Sequence, residues 1–548
     1  GTSSSVTSAQ PDFSLLSGAH WTRHYDGTAC WNSTGFGAQC LTKASGDTGQ
    51  AVLVMSPGAT ALPVEYSLQG VCDSSCPRPM PRPTFTSVSP STGAAGTRVQ
   101  AVVRGTGLNL GSKAKLVGSG TSGTQWPQTL SVNADGTAID VLLDTNGLAP
   151  GSYNLELDGV YGVSLPNAFT VTAPTTATRS RFVPIDPARF LDTRDGTGAP
   201  AQRVGPGGVV GLQVAGVKGV PATGVTAVVM NVTAVNPTGS GHVTVYPDGR
   251  PLPDVSNLNY EAGKIVPNLV TVPVVNGKVD LRNSAGEVDL IADVTGYYTD
   301  GDTGSAFSPI TPARFLDTRD GTGAPAQKVG PGGVVGLQVA GVKGVPATGV
   351  TAVVMNVTAV NPTGSGHVTV YPDGRPLPDV SNLNYEAGKI VANLVTVPVV
   401  NGKVDLRNSA GEVDLIADVT GYYGGSGSAF SPTTPVRLLD TRGGVGARAG
   451  TVGGGGIVSV PVTALEGVPA TGVTAVVLNV TVTEPTADSH LIVHPHGTAR
   501  PAVSNINFTA GQTRANMVVV PVVDGRVTFF NNWGDTHVIA DLNGYFAS

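Results

Sequence analysis

One block occurs three times in this chain, and that repetition limits the folds available to it. Arg189-Phe190-Leu191-Asp192-Thr193-Arg194 returns as Arg314-Phe315-Leu316-Asp317-Thr318-Arg319 and again as Arg437-Leu438-Leu439-Asp440-Thr441-Arg442. The blocks close on Gly296-Tyr297-Tyr298, Gly421-Tyr422-Tyr423 and Gly544-Tyr545-Phe546. The folding unit is therefore a module of about 110 residues, solved three times over, and we place the repeats at 181–298, 306–423 and 429–546. The first two align without gaps at an offset of 125 and between 189 and 298 differ only at Arg203/Lys328 and Pro267/Ala392. Their identity does not show which residues matter. The third, at an offset of 248, has changed at most surface positions, so what it keeps is informative.

It keeps an apolar strand pattern. Val225 to Thr233 and Val473 to Thr481 are near-continuous apolar runs, which predict a central strand buried on both faces. Asn276-Gly277 lies between two strand-like runs and predicts a hairpin. Pro273 places its run at a sheet edge or a bulge. Each repeat should hold seven to nine strands and no helix, as in a sandwich or jelly roll. Composition agrees. Glycine (74) and proline (41) are abundant, and only 13% of the 548 residues are charged. That balance suits short strands and tight turns.

The net charge of −6, without any Lys/Arg cluster, argues against nucleic acid as a partner. No apolar run reaches the roughly 18 residues of a membrane-spanning helix. All four cysteines, Cys30, Cys40, Cys72 and Cys76, lie within an N-terminal module at 1–80 that opens on a small-residue tail expected to be flexible. An even count in so small a unit predicts disulfides and an oxidising, extracellular compartment. Cys30–Cys40 with Cys72–Cys76 is favoured because each closes a short loop, although three connectivities exist on paper. Zinc is disfavoured by the irregular spacing.

A Pro-rich linker at 76–83 leads to residues 81–174, which read as one sandwich. Ser87-Val88-Ser89-Pro90, Gly93, Gly96-Thr97, Arg104-Gly105-Thr106-Gly107-Leu108 and Pro150-Gly151-Ser152-Tyr153 resemble the landmarks of immunoglobulin-like IPT/TIG domains. That resemblance implies a spacer or interaction module. The repeats resemble β-rich modules of secreted actinobacterial proteins marked by R-[FL]-L-D-T-R, N-V-T, S-N-x-N and D-x-x-G-Y. This second resemblance implies an extracellular module and little chemistry. The expected fold class is all-β: tandem sandwiches, Ig-like and then jelly-roll-like, strung in a rod behind a small disulfide-bonded module.

A polar set also survives in the third copy. Arg189, Asp192, Thr193, Arg194, Asn231, Thr233, His242, Ser256, Asn257, Asn259, Asn268, Asp293 and Tyr297 correspond to Arg437, Asp440, Thr441, Arg442, Asn479, Thr481, His490, Ser504, Asn505, Asn507, Asn516, Asp541 and Tyr545. Carboxylate–guanidinium pairs and asparagines commonly satisfy backbone where loops pack on a sheet, so we read the set as a network fastening the first segment of each repeat to its sandwich. The alternation of Asn257 and Asn259 predicts that both face one way on an extended chain.

The Asp192/Asp195 cluster offers oxygens to calcium, but Gly443 replaces Asp195 in the third copy, so no shared cofactor site is assigned. No nucleophile elbow, phosphate loop or H-E-x-x-H is present, and His490, His494 and His496 suit a surface hairpin better than a metal site. The expected role is non-catalytic: a secreted or cell-surface structural protein of a fibre, appendage or coat, self-associating through sheet edges. Binding of carbohydrate or cell wall is the alternative.

Overall fold

In the computed structural model the described residues are 83–172, apart from short connecting stretches, and 179–548, apart from 302 and 466. Of residues 1–82, only the backbones of strands Ser3–Val6, Ala19–Arg23, Ala29–Ser33, Gly37–Leu41 and Ala51–Val54 are described. Cys30 lies across from Cys40 in the antiparallel register of the third and fourth of these strands. The expected cysteine pairing itself falls outside the described residues.

Every described element is a strand. Residues 83–172 form a sandwich of a five-stranded and a four-stranded sheet around Val103, Leu116, Val141 and Phe169. The Tyr153 hydroxyl donates to the Ala149 carbonyl (2.8 Å), which pins the strand that carries it.

Each repeat has eight strands in two four-stranded antiparallel layers. In the first repeat one layer runs in the order Val266–Pro273, Val225–Val235, Asp289–Asp300, Ser180–Asp192. The other runs Val209–Gln213, Lys278–Asn283, Gly241–Pro247, Leu258–Tyr260. Pro273 ends an edge strand, where a missing N–H costs nothing. Asn276 and Gly277 both have positive φ (52° and 73°), as a type I′ hairpin requires. Val228, Met230, Val232 and Ala234 point into the core between the layers, against Leu258, Val279 and Leu281.

The opposite face of the same strand is buried too, and its cover comes from outside the repeat. Ala227 and Val229 join Ala352, Val354, Ala475 and Val477 in a second core drawn from all three repeats. The repeats are thus not strung in a rod. They close into a ring with approximate threefold symmetry, first layers inward and second layers outward. A rod would leave three doubly apolar sheets in water, and closing the ring buries them. The ring is stitched at its rim: Phe182 exchanges backbone hydrogen bonds with Ser305 (2.9 and 2.8 Å), and Phe307 with Ser428 (2.9 and 2.8 Å). Ser180 pairs with Phe430, which joins the inner sheets of the first and third repeats.

Six aromatic rings fill the axis. Phe182 stacks on Tyr423 (4.3 Å between centroids), Phe307 on Phe546 (4.3 Å) and Phe430 on Tyr298 (4.1 Å), each pair crossing a boundary between repeats. The glycine of each Gly-Tyr-aromatic motif makes the floor for a ring. A Cβ on Gly296 would lie 2.2 Å from Phe182 Cζ, and Gly421 and Gly544 are equally tight against Phe307 and Phe430. One departure from threefold symmetry sits here: the Tyr298 and Tyr423 hydroxyls bond at 2.5 Å, and Phe546 has no hydroxyl to offer.

Candidate functional site: the seams between repeats

The first strand of each repeat carries the Arg-x-x-Asp-Thr-Arg motif beside the last strand, in a register that sets Arg189 opposite Asp293. Arg189 Nε donates to Asp293 (3.0 Å) and its Nη1 to Asp192 (3.2 Å). Asp192, almost fully buried, also accepts from the backbone N–H (3.0 Å), Nε (2.8 Å) and Nη2 (2.6 Å) of Arg194. The second and third repeats reproduce this with Arg314, Asp317, Arg319 and Asp418, and with Arg437, Asp440, Arg442 and Asp541. These bonds tie the first strand of each repeat to its last. The bonds from Arg194 hold the Asp192 carboxyl below the usual carboxylate range. Burial pushes Asp293 and Asp541 up to about 6 against the pull of Arg189 and Arg437. With Asp192 engaged by two guanidinium groups, its oxygens are committed and not open to calcium.

The asparagines do something else. Asn268 Nδ2 donates to Asn479 Oδ1 in the third repeat (2.8 Å), Asn393 to Asn231 in the first (2.8 Å) and Asn516 to Asn356 in the second (2.9 Å). Their own Oδ1 atoms accept from the Met517, Leu269 and Leu394 backbone N–H groups, again across boundaries. Asn231, Asn356 and Asn479 complete the cycle by donating to the carbonyls of Ser381, Ser504 and Ser256 (2.7, 2.7 and 2.6 Å). All six are buried. Asn268 also donates to the Asn257 carbonyl of its own repeat, as Asn393 and Asn516 do to Asn382 and Asn505, so it ties its own sandwich and the next repeat together, whereas Asn231 bonds across the boundary. Asn257 and Asn259 also part company. Asn257 accepts from the Val245 N–H inside its repeat, while Asn259 bonds Ser256 at the seam. Asn257 precedes the strand Leu258–Tyr260, so period-two alternation does not reach it.

Beside this polar lock, where repeats one and two meet, lies a cavity of about 200 Å³. The first repeat supplies Arg189, Arg194, Thr233, Val235, Ile265 and Ile291, and the second supplies His367, Asp379, Ser381 and Asn384. Burial lowers the His367 pKa, so the ring is neutral at pH 7, and it makes no hydrogen bond to a described residue. The Thr233 hydroxyl is buried without a partner, as are its counterparts on Thr358 and Thr481. Outside the seams, His494 bonds the Pro495 carbonyl and His496 meets Ser459 and Thr528, so the two rings are held apart by separate partners.

The seam residues were in the surviving polar set, but their meeting across repeats was not read from the sequence. The signal for it was the run Val225 to Thr233, apolar on both faces in a unit with only two layers.

No protein-family model matches the chain, and no curated protein matches it. Solved structures similar to it include a chain of the Sulfolobus turreted icosahedral virus, with 10% identity, TM-score 0.15, and coverage of 79% of this chain and 99% of that one. Another comes from work on the triple jelly roll fold and turret assembly in an archaeal virus, with 11% identity, TM-score 0.15, and coverage of 68% and 90%. An S-layer protein shows 13% identity, TM-score 0.13, and coverage of 80% and 62%. Likenesses this distant carry no argument, and the function is read from the molecule itself.

Proposed function

We propose that this is a secreted, non-catalytic structural protein that contributes a preassembled three-lobed block to a surface fibre, appendage or coat. The observation that carries this reading is the shared axial core: three modules bury their inner faces against one another in a single body. The outward layers and the sandwich at 83–172 remain as surfaces for further assembly. Sheet-edge pairing between chains falls to those parts, because the first strand of each repeat is already paired at the ring's rim. Negative-stain microscopy and size-exclusion chromatography of the native secreted material test the reading. Three-lobed particles joined into fibres or arrays are expected. A monodisperse monomer at high concentration overturns it.

A second reading, binding of cell-wall or other glycans, is favoured by one observation. The seam cavity presents hydrogen-bonding groups that the fold itself leaves unused.

A further inference from the structure

We propose that the seam between the first and second repeats binds a single neutral sugar residue, its apolar ring face on Ile265 and its hydroxyls bonded to His367, Asn384 and Asp379. This rests on the glycan-binding reading and names its site and ligand class.

The charge balance of the cavity excludes other classes first. Arg189 and Arg194 are engaged by Asp192 and Asp293, and Asp379 stands 3.9 Å from Arg189. Two cations face three carboxylates, so nothing recruits an anion. The two buried carboxylates are wrapped by guanidinium groups and cannot gather around a cation. A neutral ligand is left, and it must both donate and accept, because the groups lining the cavity do both: an uncharged imidazole, the Nδ2 of a carboxamide whose Oδ1 accepts from Ser381 (3.2 Å), and a fully exposed carboxylate.

The apolar floor narrows the class further. Ile265 is 43% exposed at the cavity mouth, beside Val235 and Ile291. An apolar face with a polar rim complements a pyranose, which has C–H bonds on its faces and hydroxyls around its edge. At about 200 Å³ the cavity is smaller than the roughly 300 Å³ at which pockets for drug-sized ligands begin, so one ring fits and a buried oligosaccharide does not.

The other seams form a natural series. His490 and Asn507, then His242 and Asn259, repeat the imidazole and the carboxamide. Ala502 stands in place of Asp379 at the second seam. At the third, Thr483 and Thr513 replace Val235 and Ile265 and bond each other (2.8 Å), which removes the apolar floor. Affinity should therefore fall from the first seam to the third.

The test uses the full chain with glucose, galactose, mannose and N-acetylglucosamine, followed by saturation-transfer NMR and calorimetry, with glucuronate as the anionic control. At least one neutral sugar should bind. Combined His367→Ala and Asn384→Ala should weaken it at least about tenfold, the size expected for two lost hydrogen bonds, with an unchanged Tm. Asp379→Ala, which copies the second seam at an exposed position, should weaken it by a smaller factor without touching the fold. Tighter binding of glucuronate overturns the neutral class. If the intact protein binds polysaccharide and the variants bind it equally well, this site is wrong and the glycan reading stands. If neither sugars nor polysaccharides bind, both fall.

Discussion

The two layers of each repeat have been held to different standards. On the inner layer, Val225 to Thr233 and Val473 to Thr481 differ at one position, Met230 against Leu478. On the outer layer, Lys278-Val-Asp-Leu-Arg-Asn has become Arg526-Val-Thr-Phe-Phe-Asn, which keeps two residues of six. The outer strand alternates between core and water, so half its positions are free to drift; even an aromatic is absorbed there, with Arg500 lying 4.0 Å over the Phe530 ring. The inner strand touches its own core on one side and two other repeats on the other. Identity among neighbours, and not burial alone, separates the layers.

The sharpest way to break this comparison is to isolate one repeat. Residues 306–423 carry both halves of every seam, so the second repeat alone should associate into a trimer at rising concentration. Sedimentation equilibrium checks this, and a stable monomer would show that the inner layer needs no cover. Within the full chain, Phe430→Ala should cost about 3–5 kcal/mol, against less than about 0.5 kcal/mol for Val209→Ala on the outer layer, both from urea unfolding. Asp440→Ala leaves Arg437 with Asp541 alone and frees the half-exposed Arg442, and should cost about 2 kcal/mol in the third repeat through the lost charged hydrogen bonds. An unchanged melting temperature would return the motif to a ligand-binding role. Asn393→Ala should cost about 1–3 kcal/mol by opening one seam.

Arg514 runs against the comparison. It lies on an inner-layer strand, at the position of Val266, buried with an unpartnered Nη2, and burial lowers its pKa to about 10. Arg514→Val should raise stability by roughly 1–2 kcal/mol. The smallest effect is on pH dependence. Asp293 titrates at about 6 in the folded chain against 3.8 ordinarily, so the folded state holds this proton more tightly. Its contribution to stability is full below about pH 4 and is lost as pH rises to about 6. Asp192 is lowered, so its contribution is present above 3.8 and is lost as pH falls through its folded value. Urea midpoints of Asp293→Asn and Asp192→Asn across pH 3–7 should diverge from the parent in opposite directions.

Much of the repeat was legible because its signals are local. Asn276-Gly277 selects its turn by backbone conformation alone, and Pro273 excludes itself from a central strand by lacking an N–H. The ring was not legible, because an asparagine amide carries no address. Asn257 satisfies backbone in its own repeat and Asn231 in the next, yet the two side chains are chemically identical. The doubly apolar run did show that a cover exists. Nothing local said that the cover was two further copies.

The connections between repeats are short: strands end at Asp300 and Gly424 and resume at Ala306 and Ala429. Covalent linkage of this kind fixes stoichiometry. Separate subunits shed into a large volume would fall apart below their dissociation constant, whereas tethered ones meet at an effective concentration near millimolar whatever the dilution. It also permits a valence that symmetry forbids. Three identical chains would bring three sandwiches like that of residues 83–172, whereas among the described residues this chain carries one beside its three repeats.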